Sequence, residues 1–319
     1  MENELHVVLG TGPLGAATAA ALLRRGRQVL MVNRSGRGSA PAGATIVRAD
    51  LNDPASVRAV AAGATAVYQC AQPAYETWTT AFEPLQTAII DGVAAAGAKL
   101  IVAENLYMYG AVAGPIHEDL PYAAHTRKGR VRARMAEQVA AAHRSGKLRT
   151  AAARGSDFFG PGVRASTLGE RVFAPAIQGR TMQFTGRMDM PHSYTFIADF
   201  GEALAILGER DDALGRHWHV PNAPALTQAA IADLIAREIG RPLRAGAMGR
   251  LMLTLGGLFI PAARETVEML YEFNQPFVVD DSRFAQTFVF QPTPLDEALR
   301  RTIAWYRTQH ADHSAPIPA

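Results

Sequence analysis

His6-Val7-Val8-Leu9-Gly10-Thr11-Gly12-Pro13-Leu14-Gly15 decides the fold of this chain. The apolar run His6–Leu9 ends in glycine and gives way to the Ala/Leu-rich stretch Pro13–Arg25, closed by Gly26. The run predicts a buried strand and the stretch a helix. Between them lies a G-x-G-x-x-G, in the strand-to-helix context that gives the pattern its meaning. Gly10 permits a tight turn, Gly12 lets the backbone approach a diphosphate, and Gly15 lets helix and strand pack closely. The helix start offers unpaired N–H groups and partial positive charge to phosphate oxygens. Gly10, Thr11, Gly12, Pro13, Leu14 and Gly15 are therefore expected to cradle a dinucleotide; a glycine-rich turn with no ligand is the competing reading.

Working outward, strands are expected at Gln28–Val32, Thr45–Arg48, Thr65–Gln69, Lys99–Ala103 and Leu148–Ala153. Helices are expected from Pro54, over about Thr79–Ala96, and over Thr126–Arg144. Strands separated by helices imply parallel crossovers, and short wholly apolar strands fit a sheet covered on both faces. The expected class is α/β, a Rossmann doubly wound parallel sheet with a smaller, partly interleaved C-terminal substrate-binding region. After Gly160-Pro161-Gly162 the rhythm breaks, with prolines at 175, 191, 221, 224, 261 and 276. The nucleotide-binding part is thus read as residues 1–160, with about 190–220 rejoining it through a strand near Ser193–Ile197. Residues 161–190 and 221–310 are read as the substrate-binding region, and 311–319 as a flexible tail.

The end of the second strand reads Val32-Asn33-Arg34-Ser35-Gly36-Arg37. NAD binders usually place a carboxylate there for the ribose 2′-OH, whereas a guanidinium pairs with a 2′-phosphate. Asn33, Arg34 and Arg37 are accordingly expected to select NADP(H), the alternative being two exposed loop arginines. Ligands lie at the carboxyl ends of such strands. Asp50 and Leu51 are then expected at the adenine, Cys70, Ala71 and Gln72 at the phosphate–ribose part, and Gly155 and Ser156 farther along the same rim. For Cys70 a small buried apolar role competes with any redox role.

Composition excludes several classes. The 319 residues are 48% hydrophobic and 19% charged, ordinary for a globular chain. The net charge is +3, but three of the 32 basic residues are Lys (Lys99, Lys128, Lys147) and the remainder Arg, a bias that does not imply nucleic acid. The densest basic run, Arg127–Arg134, lacks interleaved aromatics, so no nucleic-acid partner is expected. One cysteine allows no intramolecular disulfide and no Cys-based zinc site. His217 and His219 flank Trp218, and His192 stands alone; no third ligand is spaced to complete a site, and no metal is expected. Glu2 and Glu4 stand where a secretory leader would be basic, and Leu251–Ala263 falls short of the roughly 20 apolar residues of a membrane span. A cytoplasmic protein without membrane contact is expected.

These landmarks resemble the extended short-chain dehydrogenases/reductases, including the NAD-dependent epimerase/dehydratase group, over nearly the whole chain. Besides the glycine motif, Asp50-Leu51 is similar to the family's acidic pair after strand three. Glu104-Asn105-Leu106-Tyr107-Met108-Tyr109-Gly110 resembles its loop after strand five, and Arg154-Gly155-Ser156-Asp157-Phe158-Phe159-Gly160-Pro161 its loop after strand six. Ile197-Ala198-Asp199 and Thr293–Trp305 resemble its late helices. The family's proton chemistry rests on a Tyr-x-x-x-Lys pair, which occurs nowhere in this chain. Counting back from Glu137, its Lys position falls on Ala133 and its Tyr position on Gly129; the family's Ser/Thr falls on Asn105. The resemblance is therefore to atypical members that keep the nucleotide fold without the usual triad.

Substitute groups are at hand. Asn105 can donate to a developing oxyanion. Tyr107 and Tyr109 follow strand five near the expected substrate, and Lys128 or Arg132 would supply a cation that depresses the Tyr107 pKa. Asn105, Tyr107 and Lys128 are the expected catalytic set. Leu251, Met252, Leu253, Leu255, Leu258, Phe259 and Ile260, with Met269, Tyr271, Phe273 and Phe277, are expected to line an apolar pocket or to form ordinary core. The expected activity is NADPH-dependent hydride transfer to a hydrophobic carbonyl or enone-type small molecule. A catalytically silent NADP(H)-binding redox sensor and a redox-neutral epimerase, dehydratase or isomerase are the alternatives. A homodimer through Thr79–Ala96 and Thr126–Arg144 is expected by analogy with the family.

Overall fold

The computed structural model describes residues 4–259 and 265–314. The first half alternates β1 (Leu5–Leu9), α1 (Pro13–Arg24), β2 (Gln28–Asn33), β3 (Ala44–Arg48), α2 (Pro54–Ala61), β4 (Ala64–Gln69), α3 (Trp78–Ala96), β5 (Lys99–Glu104), α4 (Arg127–Arg144) and β6 (Thr150–Arg154). Then come β7 (Phe158–Phe159), α5 (Glu170–Ile177), β8 (Met182–Thr185), β9 (Pro191–His192), β10 (Thr195–Phe196) and α6 (Ile197–Glu209). They are followed by β11 (His217–His219), β12 (Leu226–Thr227), α7 (Gln228–Ile239), β13 (Ala245–Met248) and α8 (Arg250–Gly256). Short helices at Tyr271–Asn274 and Ser282–Phe288 precede a closing helix, Leu295–Ser314.

The central sheet has seven parallel strands in the order β11-β6-β5-β4-β1-β2-β3. Its inner strands are largely buried on both faces, so they read as apolar runs rather than alternations, while the edge strand β3 is partly exposed. The period-two geometry still sorts their side chains. Val8, Ala66, Tyr68, Ile101 and Ala153 face α1 and α6. Val7, Leu9, Val67, Leu100 and Val102 face α2, α3 and α4. Strand order reverses between β1 and β4, and the crevice at such a switch point is where ligands of this architecture lie.

A further core joins Val172 and Phe173 of α5, Phe184 of β8, Ile231 and Ile235 of α7, and Leu299, Ile303 and Tyr306 of the closing helix. Beside it, β8 and β13 form a separate parallel pair.

Three expectations need correction. The Ser193–Ile197 stretch does not rejoin the main sheet: Thr195–Phe196 pairs with β7, and His217–His219 takes the edge beside β6. The closing helix continues to Ser314, into the expected tail; residues 315–319 lie outside the described residues. The expected apolar pocket wall is mostly solvent-facing. Leu251, Met252, Leu255, Leu258 and Phe259 are exposed, because α8 spans barely two turns and buries only Leu253. Met269 and Phe273 are core, Phe277 does reach the cavity, and Ile260 lies outside the described residues.

Candidate active site

A cavity of about 400 Å³ opens over the carboxyl ends of β1, β4, β5 and β6. Its floor is the glycine loop, and the loop shows which glycines the protein itself requires. Gly10 has φ +111°, and a Cβ there would sit 2.8 Å from the Ala71 nitrogen. A Cβ on Gly15 would sit 2.1 Å from the Gly10 carbonyl oxygen, so α1 could not approach β1. Gly12 is different. Its φ of −72° and ψ of −179° suit any residue, and a Cβ there meets nothing within 4 Å. Gly12 is also the N-cap of α1, where no side chain caps the helix and Pro13 begins it. The open space faces the cavity, at a helix end whose first N–H groups seek acceptors. The residues present therefore fit the diphosphate of a dinucleotide.

Gly10, Thr11, Gly12, Pro13 and Leu14 line the cavity, as do Cys70, Ala71, Gln72, Asn105, Tyr107, Gly155 and Ser156. Gly15 stands behind the loop as a packing residue. Asn33, Arg34, Arg37, Asp50 and Leu51 lie toward β2 and β3, outside the cavity lining. Asn33 locks that edge: its Nδ2 donates to Thr11 Oγ1 at 2.9 Å and to the Arg37 carbonyl at 2.8 Å. Its Oδ1 accepts from the backbone N–H groups of Ser35 and Gly36. Arg34 and Arg37 are exposed beside this turn. Asp50 is exposed and accepts from the backbone and side chain of Asn52, which hold its carboxyl below the usual range. Gly155 packs under the Phe200 ring, and Ser156 donates to the Ser193 carbonyl at 2.6 Å.

Cys70 shares a 3.6 Å contact with Thr18 Oγ1, and burial pushes its thiol up to about 12. A thiol so far from ionisation is no nucleophile, so the small apolar role is the one its surroundings support.

The expected catalytic set is only partly brought together. Asn105 is held by its Oδ1, which accepts from Arg132 Nε at 3.2 Å and from the Tyr107 backbone at 3.3 Å. Its amide N–H groups remain to donate into the cavity. Lys128, by contrast, is buried away from the cavity lining. Its ammonium is paired with Glu265 and with Glu268 at 3.5 Å, and rests 4.4 Å from the Tyr75 ring centre. Arg132, one turn farther along the same face of α4, lines the cavity instead. Arg132 is 2% exposed and lies over Phe82 and Trp78, with the Glu104 charge nearby but, among the described residues, no carboxylate in salt-bridge range. Burial lowers its pKa from an ordinary guanidinium value.

Tyr107 also departs from expectation. Its hydroxyl is pushed well above the usual phenol range by burial, and the neighbouring Tyr75 adds to the shift. It stays a neutral donor and cannot be a ready base. Tyr109 does not reach the cavity; its hydroxyl binds His219 Nε2 at 2.9 Å and accepts from Arg154 at 2.6 Å. Arg154 pairs with Glu104 at 2.8 Å, both fully buried, bracing the ends of β5 and β6. His217 and His219 spend ring nitrogens on the carbonyls of Glu118 and Asp280. Among the described residues no group of three or more His, Cys, Asp or Glu is placed to hold a metal.

The structure adds residues that the sequence reading missed. Tyr75, Asp157 and Glu272 line the cavity's far end with Trp78, Phe82, Phe158 and Phe277. Asp157 Oδ2 is 3.0 Å from His192 Nε2, and His192 is stacked between Phe273 and Phe277. Glu272 is 1% exposed, and among the described residues neither carboxyl oxygen is hydrogen-bonded to a group outside its own short helix. Its one sequence signal is an acid isolated in the apolar run Met269-Leu270-Tyr271-Glu272-Phe273.

The comparisons agree with this architecture. The model of the NAD dependent epimerase/dehydratase family matches residues 7–220, and the chain belongs to that family. It is an enzyme of the extended short-chain dehydrogenase/reductase type. UDP-glucuronic acid 4-epimerase from Bacillus cereus, solved in complex with NAD, is similar in structure at a TM-score of 0.77 and 14% identity, covering 96% of this chain and 99% of that one. A dTDP-glucose 4,6-dehydratase from Streptomyces venezuelae, with NAD bound, gives a TM-score of 0.76 at 16% identity over 97% and 98% of the two chains. UDP-glucose 4-epimerase from Thermus thermophilus, also with NAD, gives 0.75 at 17% identity over 95% and 99%. No curated protein matches the sequence. Among the described residues no helix is long and apolar enough to cross a membrane.

Proposed function

We propose that the protein binds a nicotinamide dinucleotide, NADP(H) in preference to NAD(H), and transfers hydride between it and a hydrophobic carbonyl or enone-type small molecule. The observation that carries this reading is Gly12. Neither its backbone angles nor its neighbours call for glycine, so the demand comes from a ligand seated on the uncapped start of α1. Preference for the 2′-phosphate rests on Arg34 and Arg37 at the end of β2, where Asn33 stands in place of a carboxylate.

When bound, the cofactor supplies or accepts hydride. Trp78, Phe82, Phe158 and Phe277 give the cavity apolar walls that exclude water and suit an aromatic or aliphatic substrate. The Asn105 amide, fixed by Arg132 and the Tyr107 backbone, donates to an oxygen that gains negative charge. Arg132, whose Nε holds Asn105, lends that oxygen a buried positive charge.

The test is a fluorescence titration with NADPH and, separately, NADH. Tight NADPH and weak NADH binding is expected, with the preference lost in Arg34→Ala. Binding of neither would remove the reading. Redox-neutral epimerisation or dehydration is the second reading, favoured by two carboxyl groups, Asp157 and Glu272, in one cavity. It predicts product without net change in cofactor absorbance. The proposal extends to a cytoplasmic homodimer: one thiol suits a reducing compartment, and α3 with α4 would form the contact. A monomer by light scattering at working concentration would remove the dimer.

A further inference from the structure

Glu272 is a buried acid for which, among the described residues, no group outside its own short helix supplies a hydrogen bond. Its helix, Tyr271–Asn274, is fixed from several sides, which sets where the side chain starts. The Glu272 carbonyl lies 3.2 Å from His192 Nδ1, Phe273 is stacked on the His192 ring, and the Phe273 carbonyl accepts from the Arg187 backbone at 3.1 Å. Both carboxyl oxygens are buried, and among the described residues neither is hydrogen-bonded to another element of the fold. Leaving such a group buried and unpartnered is costly, and proteins that keep one usually use it. It lines the same cavity as the glycine cradle, Asn105 and Arg132.

We propose that the carboxyl of Glu272 is the proton donor of this pocket, taking over from the tyrosine that Gly129 replaces. The inference rests on the hydride-transfer reading above. As the substrate carbonyl carbon accepts hydride from the reduced nicotinamide, the C=O π pair moves to oxygen. That oxygen takes the proton of the Glu272 carboxyl, and the O–H bond of the acid breaks to leave a carboxylate. The two electrons come from the reduced nicotinamide, and water reprotonates Glu272 once product leaves.

The surroundings keep the acid protonated until then. Burial pushes the Glu272 carboxyl well above the usual range, and the nearby Asp157 charge adds to the effect. Tyr271 on its own helix holds it down slightly. Tyr75 and Tyr107, from the loops after β4 and β5, are themselves pushed up by burial and bring no charge. His192 is committed to Asp157 and to the Glu272 carbonyl, and the Lys128 ammonium, beside the Tyr75 ring, is paired with Glu265 and Glu268.

The experiment compares wild type, Glu272→Gln and Glu272→Asp in three measurements. These are NADPH fluorescence titration, stopped-flow NADPH oxidation with acetophenone, benzil and chalcone, and the infrared protonated-carboxyl band at pH 7. Glu272→Gln should bind NADPH as wild type does, turn over about 10²–10⁴-fold more slowly, and lose that band. Glu272→Asp should recover part of the rate. A Glu272→Gln variant that oxidises NADPH at the wild-type rate would overturn the proposal and leave hydride transfer standing. So would a wild-type infrared spectrum without the band. Failure of wild type to bind NADPH, or to oxidise it with any of the carbonyls, would overturn the hydride reading and Glu272's role with it.

Discussion

Replacing Gly12 or Gly15 by alanine separates what the fold requires from what a ligand requires. At Gly12 the new methyl enters open space, and the backbone already has angles that alanine accepts. Alanine is a poorer N-cap than glycine by roughly 0.5–1 kcal/mol. It also lowers the entropy of the unfolded chain, which is worth about 0.4–1 kcal/mol in the opposite direction. The two terms nearly cancel, so the melting temperature should move by no more than about 1–2 °C. Yet the methyl projects from the helix end where a diphosphate would rest. Displacing the diphosphate from even one backbone N–H costs about 1.5–3 kcal/mol for a charged hydrogen bond. That is roughly a 10–150-fold weaker Kd for NADPH. At Gly15 the methyl would lie 2.1 Å from the Gly10 carbonyl oxygen, a backbone atom that cannot rotate away. The helix must retreat by about an ångström, with a stability loss of about 1–3 kcal/mol from overpacking. Thermal denaturation and NADPH fluorescence titration on both variants decide the matter. A Gly12→Ala protein that binds NADPH as tightly as wild type would refute the argument that a ligand selects this glycine.

Arg34→Ala should weaken NADPH by roughly 10–150-fold, the worth of one charged contact, and leave NADH unchanged in the same titration. Glu104→Gln strands the Arg154 guanidinium in a site where both side chains are 1% exposed, and should cost about 3–5 kcal/mol in urea denaturation. His219 is lowered by burial and by the Arg154 charge to about 3. A depressed histidine favours the fold while neutral, so its contribution is complete above the unfolded value near 6.5 and is lost as pH falls toward 3. His219→Gln should flatten that acid limb in denaturation curves measured between those values. Glu272 acts in the opposite sense. Its raised pKa leaves the fold's stability complete below the ordinary value of 4.5, and that stability is lost as pH rises through the folded value, a slope that Glu272→Gln should abolish.

The β–α alternation, the position of the glycine loop and the missing Tyr-x-x-x-Lys pair are all local properties of the chain. Each is set by residues within one turn or one element, so a linear reading finds them. Gly10, Gly12 and Gly15, the strand ends that carry Cys70, Asn105, Gly155 and Ser156, and the cavity's place above them followed from that reading. The long-range partners did not. Lys128 and Arg132 lie on the same helix and look alike as cations. One is drawn to Glu265 and Glu268 and the other into the cavity, because, one turn apart on the same helix face, they meet different neighbours from distant parts of the chain. Glu272 is far from the cradle in sequence, and its helix is carried to the cavity by the packing of Phe273 and Phe277 on His192. The apolar stretch from Leu251 read as a pocket wall, but what covers a hydrophobic side chain depends on the elements that fold back upon it. The sequence by itself determined the nucleotide-binding scaffold, because backbone geometry and hydrophobic period are local. Only the tertiary structure decided which charged groups face the ligand, because burial and pairing are properties of neighbours the chain brings together from afar.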